Sequence, residues 1–316
     1  MKILISIVGP TSIGKTKLSI FLAKYYKTEI ISCDSKQFYK ELNIGTSKPK
    51  KKELENIKYH FINNLSIKKK YNIYNFENDV LKKLKKIFKK KKIIFLVGGS
   101  CLYEKTIIEG LNYFPKIKTK NQKKFRKILE KKKIEDLISL IKKKDFFFYK
   151  NILKNKKDKF KIIRALEVLF FTKKKFSFFL NKPKKKRPFD MYIRIGLILK
   201  NRLEIYKRIN KKVKSMIKKG LFKEVKKLYK YRKLNSLNTI GYKEIFNYIY
   251  KKKKKEKIKF KECIEEIKKK TRNYAKRQIT WYKKKKDITW FNPKDKKKII
   301  IFINKKIKYE INKNKI

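Results

Sequence analysis

The sequence predicts an α/β fold: a parallel sheet flanked by helices, with a helical insertion between two of its strands. Three observations predict it. Short β-branched apolar runs recur along the chain, each uniform in polarity, as strands covered on both faces must be. Stretches of helical period separate them, the pattern of parallel strands joined by crossover helices. The first apolar run leads directly into a glycine loop that opens a helical segment.

The elements follow in order. Ile3 to Val8 reads as a buried strand; it is too short for a signal peptide and Gly9-Pro10 breaks it. Thr16 to Tyr26 has helical period, Glu29 to Cys33 is a second strand, and Phe76 to Lys90 is helical again. Ile93 to Val97 and Tyr192 to Leu199 are the other strands. Between them, from Tyr113 to Lys186, the apolar residues recur at helical spacing: Phe125, Ile128, Leu129, then Leu137, Leu140, Ile141, then Ile162, Ile163, Leu166, Leu169. The expected division is therefore a catalytic core of 1–112 and 187–316 around a helical insertion of 113–186. After Leu199 the pattern is helical to about Lys283. The Lys-rich stretches at 251–255 and 283–286 read as solvated helix ends or loops. No run approaches the 18 apolar residues of a membrane span, and a cytoplasmic chain is expected.

Composition excludes several chemistries. Net charge is +70, yet only nine of the 96 cationic side chains are Arg. Such charge suits a nucleic-acid partner, because cations displace counterions from phosphates. Lysine spread evenly among Ile, Asn, Phe and Tyr is equally what a codon bias toward A and T produces. A single histidine, His60, rules out a His-rich metal site. Cys33, Cys101 and Cys263 stand far apart, with no C-x-x-C for zinc or redox work.

The most informative segment is Gly9-Pro10-Thr11-Ser12-Ile13-Gly14-Lys15-Thr16, which fits G-x-x-x-x-G-K-[ST] and makes the sheet P-loop-type. Its glycines let backbone N–H groups curl around an anion at the positive end of a helix. Lys15 adds a point charge, and Thr16 offers a hydroxyl to phosphate or Mg²⁺. P-loop NTPases also place an Asp at the end of an apolar strand. Here Ile93 to Val97 runs into Gly98-Gly99-Ser100 instead, with no carboxylate. The phosphates are expected to be a leaving group handled in another way.

Asp34 ends the second strand, on the sheet edge where ligands bind in open α/β folds. It is placed to take a proton from a nucleophile attacking a phosphorylated substrate. An N-cap opening the next helix explains it equally well.

Together these residues resemble the tRNA dimethylallyltransferases (isopentenyltransferases). The resemblance rests on Gly9 to Thr16, Asp34-Ser35-x-Gln37-x-Tyr39, Ile44-Gly45-Thr46-Ser47-Lys48-Pro49 and Val97-Gly98-Gly99-Ser100-x-Leu102-Tyr103. It continues through Arg164-Ala165-Leu166-Glu167-Val168, Ile240-Gly241-Tyr242-Lys243-Glu244 and Thr271-Arg272-x-Tyr274-Ala275-Lys276-Arg277-Gln278-Ile279-Thr280-Trp281. The motifs stand in the family's order over residues 3 to 290.

The resemblance implies transfer of a dimethylallyl group from dimethylallyl diphosphate to the exocyclic amine of an adenine just 3′ of a tRNA anticodon. Asp34, Lys15 and Thr16 would be catalytic, with Mg²⁺ as cofactor. Gly9 to Thr16 and Lys212 would hold the diphosphate. Asp34, Ser35, Lys36, Gln37 and Ser100 would meet the tRNA, with Gln37 on the polar edge of the extruded adenine. Further tRNA contacts carry over to Arg126 and Arg164 in the insertion, which would close over the anticodon stem-loop. The remaining ones are Asn238, Thr239, Ile240, Gly241, Tyr242 and Lys243, then the helical stretch Lys276, Arg277, Gln278, Ile279, Thr280, Trp281, Tyr282, Lys283. In that stretch the cations are expected to contact RNA and part of the aromatics to pack on the sheet. A monomer is expected, since nothing demands a dimer.

The chain departs from the family's pattern at several positions. Cys101 stands where glycine is common, Asn43 and Asn63 where aspartate is frequent, and Phe61 where leucine is frequent. Lys212 replaces an arginine near the diphosphate, keeping charge and losing the planar fork. A P-loop kinase or ATPase, and a basic RNA-binding protein without catalysis, are the competing readings; intact Asp34, Lys15 and Thr16 count against the last.

Overall fold

A computed structural model of the chain describes every residue except 50, 55–56, 116, 118, 154–157 and 314–316. Two compact units emerge: Met1–Glu109 with Arg187–Ile316, and Gly110–Lys186.

The larger unit is built on strands β1 (Ile3–Val8), β2 (Ile30–Ser32), β3 (Tyr59–His60), β4 (Ile93–Val97), β5 (Met191–Leu197) and β6 (Ile288–Phe291). They form one sheet in the order β3-β2-β4-β1-β5-β6, and every pairing is parallel. The α/β expectation therefore holds. β1 lies between β4 and β5, and all six of its residues are buried, which is why it reads as an unbroken apolar run. Parallel pairing puts the carboxyl ends of β1, β2 and β4 on one edge. The residues that follow them, Gly9, Cys33 and Gly98, open the site.

Crossover helices cover the sheet. α1 (Lys15–Tyr25) returns from β1. A short α2 (Lys51–Leu54) precedes β3, and α3 (Ile73–Ile87) leads to β4. The Asn72 side chain caps α3 by accepting from Asn75 N at 3.0 Å, and Phe76, Val80, Leu81, Leu84 and Ile87 form its buried stripe. Each of these side chains contributes about 1.5–3 kcal/mol on burial. α4 (Cys101–Glu109) follows β4. Its inner face carries Glu104, which accepts from Ser6 Oγ at 3.0 Å and from buried Arg194 Nε at 2.9 Å. Arg194 also reaches Glu109 and Asp287, so one guanidinium of β5 fixes α4 and the turn before β6, while Ser6 ties Glu104 to β1.

The smaller unit holds α5 (Thr119–Lys131), α6 (Ile134–Lys144), the single turn α7 (Phe146–Phe148) and the helices α8 (Lys159–Thr172) and α9 (Phe176–Leu180). Leu129, Leu137, Ile141, Phe148, Ile162, Ile163 and Leu166 form its own core. Ile128 and Leu140, read from the period as core, face outward.

Beyond β5 lie α10 (Arg202–Lys218), α11 (Leu221–Lys227), α12 (Tyr242–Lys253), α13 (Phe260–Lys283) and α14 (Lys296–Lys313). β3, β6 and α14 are additions to the sequence reading. β3 is two residues long, and β6 sits behind a lysine run. Gly196 of β5 is paired with Trp290 of β6, where a Cβ would stand 2.5 Å from the indole. Among the described residues, no helix is long and apolar enough to cross a membrane.

Candidate active site

The glycine loop bends where side chains would obstruct it. Gly9 has φ 137°, and a Cβ there would lie 2.5 Å from the carbonyl oxygen of Leu197. At the start of α1, Gly14 caps the helix with no side-chain acceptor, and the first turn has no acidic residue. Its leading N–H groups thus remain available for an anion. Ser12 holds a left-handed φ of 64°, and its buried Oγ has no hydrogen-bond partner among the described residues. The Lys15 ammonium reaches back over the loop, donating to the carbonyls of Gly9 and Pro10 at 2.9 Å each. Burial, and then the neighbouring charge of Lys212, pull its pKa down to about 8, against the opposing pull of Asp34. Burial also lowers Lys212, again opposed by Asp34. Two cations crowded in one buried place suit a polyanion.

No helix follows Asp34, so the N-cap reading fails: turns occupy 35–38 and the next helix begins at Lys51. Oδ1 accepts from Lys36 N at 3.0 Å, closing an Asx turn. Oδ2 accepts no hydrogen bond among the described residues and lies beside Gly99. The glycine pair after β4 now has a physical reason. A Cβ on Gly98 would come 2.5 Å from the Cys33 backbone, and one on Gly99 would press on Asp34 Oδ2. The turn is held from above by α13: Tyr274 Oη and Gln278 Nε2 donate to Gly99 O at 2.6 and 2.7 Å. Gln278 Oε1 in turn accepts from Thr11 N of the glycine loop at 2.8 Å. Ser100 Oγ accepts from Ser35 N at 3.0 Å, joining the ends of β2 and β4.

These groups open on a cavity of about 330 Å³. Thr11, Asp34, Ser35, Lys36, Ser100, Lys212 and Tyr274 give its polar lining, and Val213, Met216, Leu221, Ile240 and Ile267 its apolar lining. The glycine loop and Asp34 therefore share one space, which also has room for something greasy.

The sequence model of IPP transferase matches residues 37–285. A tRNA dimethylallyltransferase from Christiangramia forsetii is 45% identical over 96% of this chain and 98% of its own length. The chain belongs to the IPP transferase family. Solved structures agree. The tRNA isopentenylpyrophosphate transferase of Bacillus halodurans has a TM-score of 0.72 at 28% identity, with all of both chains covered. A eukaryotic dimethylallyltransferase acting on tRNA has a TM-score of 0.73 at 28% identity, over 93% of this chain and 75% of that one.

Several residues that the resemblance assigned to tRNA contact turn out to be internal. Gln37 is buried: its oxygen accepts from Ser32 Oγ at 3.0 Å and its amide donates to Thr46 O at 3.3 Å. Tyr242 is fully buried with its hydroxyl on Glu224. Gln278 braces the loop, and Tyr282 is buried on the inner face of α13. Ile13 likewise packs in the core, so only its backbone faces the loop. Trp281, by contrast, points outward, as do Lys276, Arg277, Thr280 and Lys283. Asn238, Thr239, Ile240, Gly241 and Arg277 line the cavity, and Lys243 is exposed. Lys36 is drawn inward, donating to the carbonyls of Asn235 and Ser236 at 3.1 Å, and burial lowers it to about 8.

In the helical unit, Glu167 gathers both arginines. It accepts from Arg126 Nε and Nη2 at 2.6 and 2.9 Å, from Gln122 at 2.8 Å and from Arg164 at 3.3 Å. Burial pushes this carboxyl up, and the bonds from Arg126, Gln122 and Arg164 outweigh it, leaving it below the ordinary range.

Glu224 was not read from the sequence at all. It accepts from the backbone N–H groups of Asn43, Ile44 and Gly45 at 3.2, 2.9 and 3.2 Å, and from the Tyr242 hydroxyl. Gly45 lies flat on the Tyr242 ring, where any Cβ would overlap it. One carboxylate thus fixes the wall that carries Gly45 and Thr46. The departures at Asn43 and Asn63 meet nearby: both amide oxygens accept from Lys48, whose pKa burial lowers to about 8.

Proposed function

We propose that the chain transfers a dimethylallyl group from dimethylallyl diphosphate to the exocyclic amine of the adenosine 3′ of the anticodon in tRNA. The observation that carries this reading is the shared cavity: the glycine loop's Thr11 and the carboxylate of Asp34 line it together, with apolar side chains beside them. The relatives' activity on tRNA supports it.

In the reaction, the bond from the allylic carbon to the diphosphate oxygen breaks and the electron pair leaves with diphosphate. Loop amides at the start of α1, Lys15 and Lys212 stabilise that growing charge. The adenine amine supplies the pair for the new C–N bond. Its proton goes to Asp34 Oδ2, the oxygen not committed to the Asx turn. Val213, Met216 and Ile267 keep water from the cation-like allyl fragment. Among the described residues, no three His, Cys, Asp or Glu side chains gather as a metal site. Mg²⁺ would therefore be held by the Thr16 hydroxyl jointly with the diphosphate, and would neutralise part of its charge. Ser12 Oγ in the same loop, without a hydrogen-bond partner among the described residues, would be a further oxygen for that ion or for the diphosphate.

On this reading the exposed Lys243, Lys276, Arg277, Trp281 and Lys283 meet RNA, with cations on phosphates and the indole on a base or sugar. Arg126 and Arg164 of the helical unit do likewise, and the chain acts as a cytoplasmic monomer. The test is direct. Incubation with dimethylallyl diphosphate, Mg²⁺ and a tRNA bearing that adenosine yields prenylated adenosine and diphosphate. Asp34→Ala abolishes turnover while tRNA affinity stays within a few-fold. A comparable loss of tRNA binding makes Asp34 a recognition residue. Phosphate released from ATP without prenylated RNA makes the chain a kinase or ATPase.

A further inference from the structure

The cavity changes character along its length, and two helices show the change. α10 runs away from the glycine loop. Arg208 donates to Ile13 O at 3.4 Å, Lys212 lies close enough to Lys15 to depress it, and Val213 and Met216 follow on the cavity side. α13 runs back toward the loop. Ile267 comes first, then Thr271, then Tyr274 on Gly99 O, then Gln278 on Thr11 N. Arg272 Nη1 donates to Asn210 Oδ1 at 2.9 Å and keys the two helices together. Both therefore set charge and hydroxyls at the phosphate end and hydrocarbon at the other. The first residue of α11, Leu221, is wholly buried at that far end, its Cδ2 3.6 Å from where a Cβ on Gly241 would stand.

We propose that Met216 and Leu221 form the back wall of the donor site and restrict the allylic diphosphate to a single isoprene unit. The proposal rests on the prenyl-transfer reading above and adds the residues that select the donor. Lengths support it. From Lys212 to Met216 is one helical turn, about 6 Å along the axis. A dimethylallyl tail spans three carbon–carbon bonds beyond its reacting carbon's oxygen bond, about 4 Å. A geranyl tail continues for about 5 Å more and would run into both side chains. Packed interiors do not yield to such an addition without displacement. Met216 is the better point of intervention, because it is only partly buried, whereas Leu221 is a core residue.

The experiment compares the wild type with Met216→Ala and Met216→Trp. Two quantities are read: displacement of labelled dimethylallyl diphosphate by geranyl diphosphate, which needs no turnover, and prenyl transfer to tRNA from each donor. In the wild type the geranyl donor is weaker by about 100-fold, the scale on which hydrophobic pockets discriminate added carbons. Met216→Ala closes that gap by about tenfold with the tRNA KM unchanged, and Met216→Trp weakens the dimethylallyl donor itself. An unchanged donor ratio in Met216→Ala overturns the proposal. So does a shift in tRNA KM without any shift between donors, which would mean that the far end receives the base. A wild type that binds both donors with the expected preference yet prenylates no RNA fails the parent reading and leaves the wall standing.

Discussion

Asp34 and Gly99 stand so close that a Cβ on the glycine would lie 3.2 Å from Oδ2 of the aspartate. The same Cβ would meet Gln278 Nε2 at 3.3 Å and the Tyr274 hydroxyl at 3.6 Å. All three neighbours are side-chain ends that move by tenths of an ångström without unfolding anything. Gly99→Ala is therefore expected to keep its melting temperature within a few degrees and lose about 10²-fold in kcat, because a small misplacement of the proposed base is costly. Gly98→Ala is the contrast. Its Cβ would strike the Cys33 backbone, and it is expected to lower the melting temperature as well. Thermal melts and single-turnover kinetics on the pair separate the two; equal behaviour would mean that Asp34 is not positioned by this turn.

Gln278 couples the two halves of the site. With its oxygen on Thr11 N and its nitrogen on Gly99 O, both ends of the amide are used. Gln278→Leu keeps the size and strands both partners, at about 1–3 kcal/mol for each buried group left unpaired. Gln278→Glu keeps the acceptor for Thr11 and loses the donor to Gly99. The expected result is a raised KM for the donor in the leucine variant and a milder defect in the glutamate variant, read from initial rates at saturating tRNA. If tRNA affinity falls instead, the side chain is an RNA contact after all.

That clamp marks where sequence reading stops. β1, β4 and the glycine loop were legible because their signals are local: an apolar run, a spacing, a glycine before a lysine. The place of Asp34 beside the glycine loop was legible because both follow strands that end on one edge of a parallel sheet. Gln278 and Thr11 are 267 positions apart, and nothing in either neighbourhood announces the other. Tyr242 and Tyr282 were given to tRNA by the resemblance, which marks positions in a motif and does not say which stripe of a helix is covered. β3, at two residues, is shorter than any periodicity. Glu224 lies among lysines on an ordinary amphipathic stretch, and its partners are backbone amides, which leave no mark in a sequence.

Glu224 and Tyr242 nevertheless fix the loop that carries Gly45 and Thr46. Glu224→Gln removes the charge that three amides and a hydroxyl share. Hydrogen bonds to a charged acceptor are worth about 1.5–3 kcal/mol, so this variant is expected to lower stability by that order. Tyr242→Phe removes one donor and keeps the ring that Gly45 rests on, at about 1 kcal/mol. Denaturant titration of both variants and their double mutant should give a coupling above about 0.5 kcal/mol. Strict additivity would mean that the hydroxyl and the carboxylate do not act together.

The depressed Lys15 gives the site a pH signature. Its folded pKa of about 8 lies below the ordinary lysine value of 10.5, chiefly through burial and then through Lys212. Between those two values the native state holds fewer protons than the unfolded chain. This group's contribution to stability therefore rises with pH across that window, as the cost of burying a charged ammonium is relieved. Donor binding runs the other way, because the diphosphate needs the charged form. Donor affinity is expected to be flat below pH 8 and to fall by up to about tenfold per unit above it. Lys15→Arg stays charged throughout, so the fall should move to higher pH, with any remaining slope owed to Lys212. Dissociation constants for dimethylallyl diphosphate from pH 6 to 10 in both proteins decide the matter. A wild-type profile flat to pH 10 would show that Lys15 keeps its proton in the empty loop.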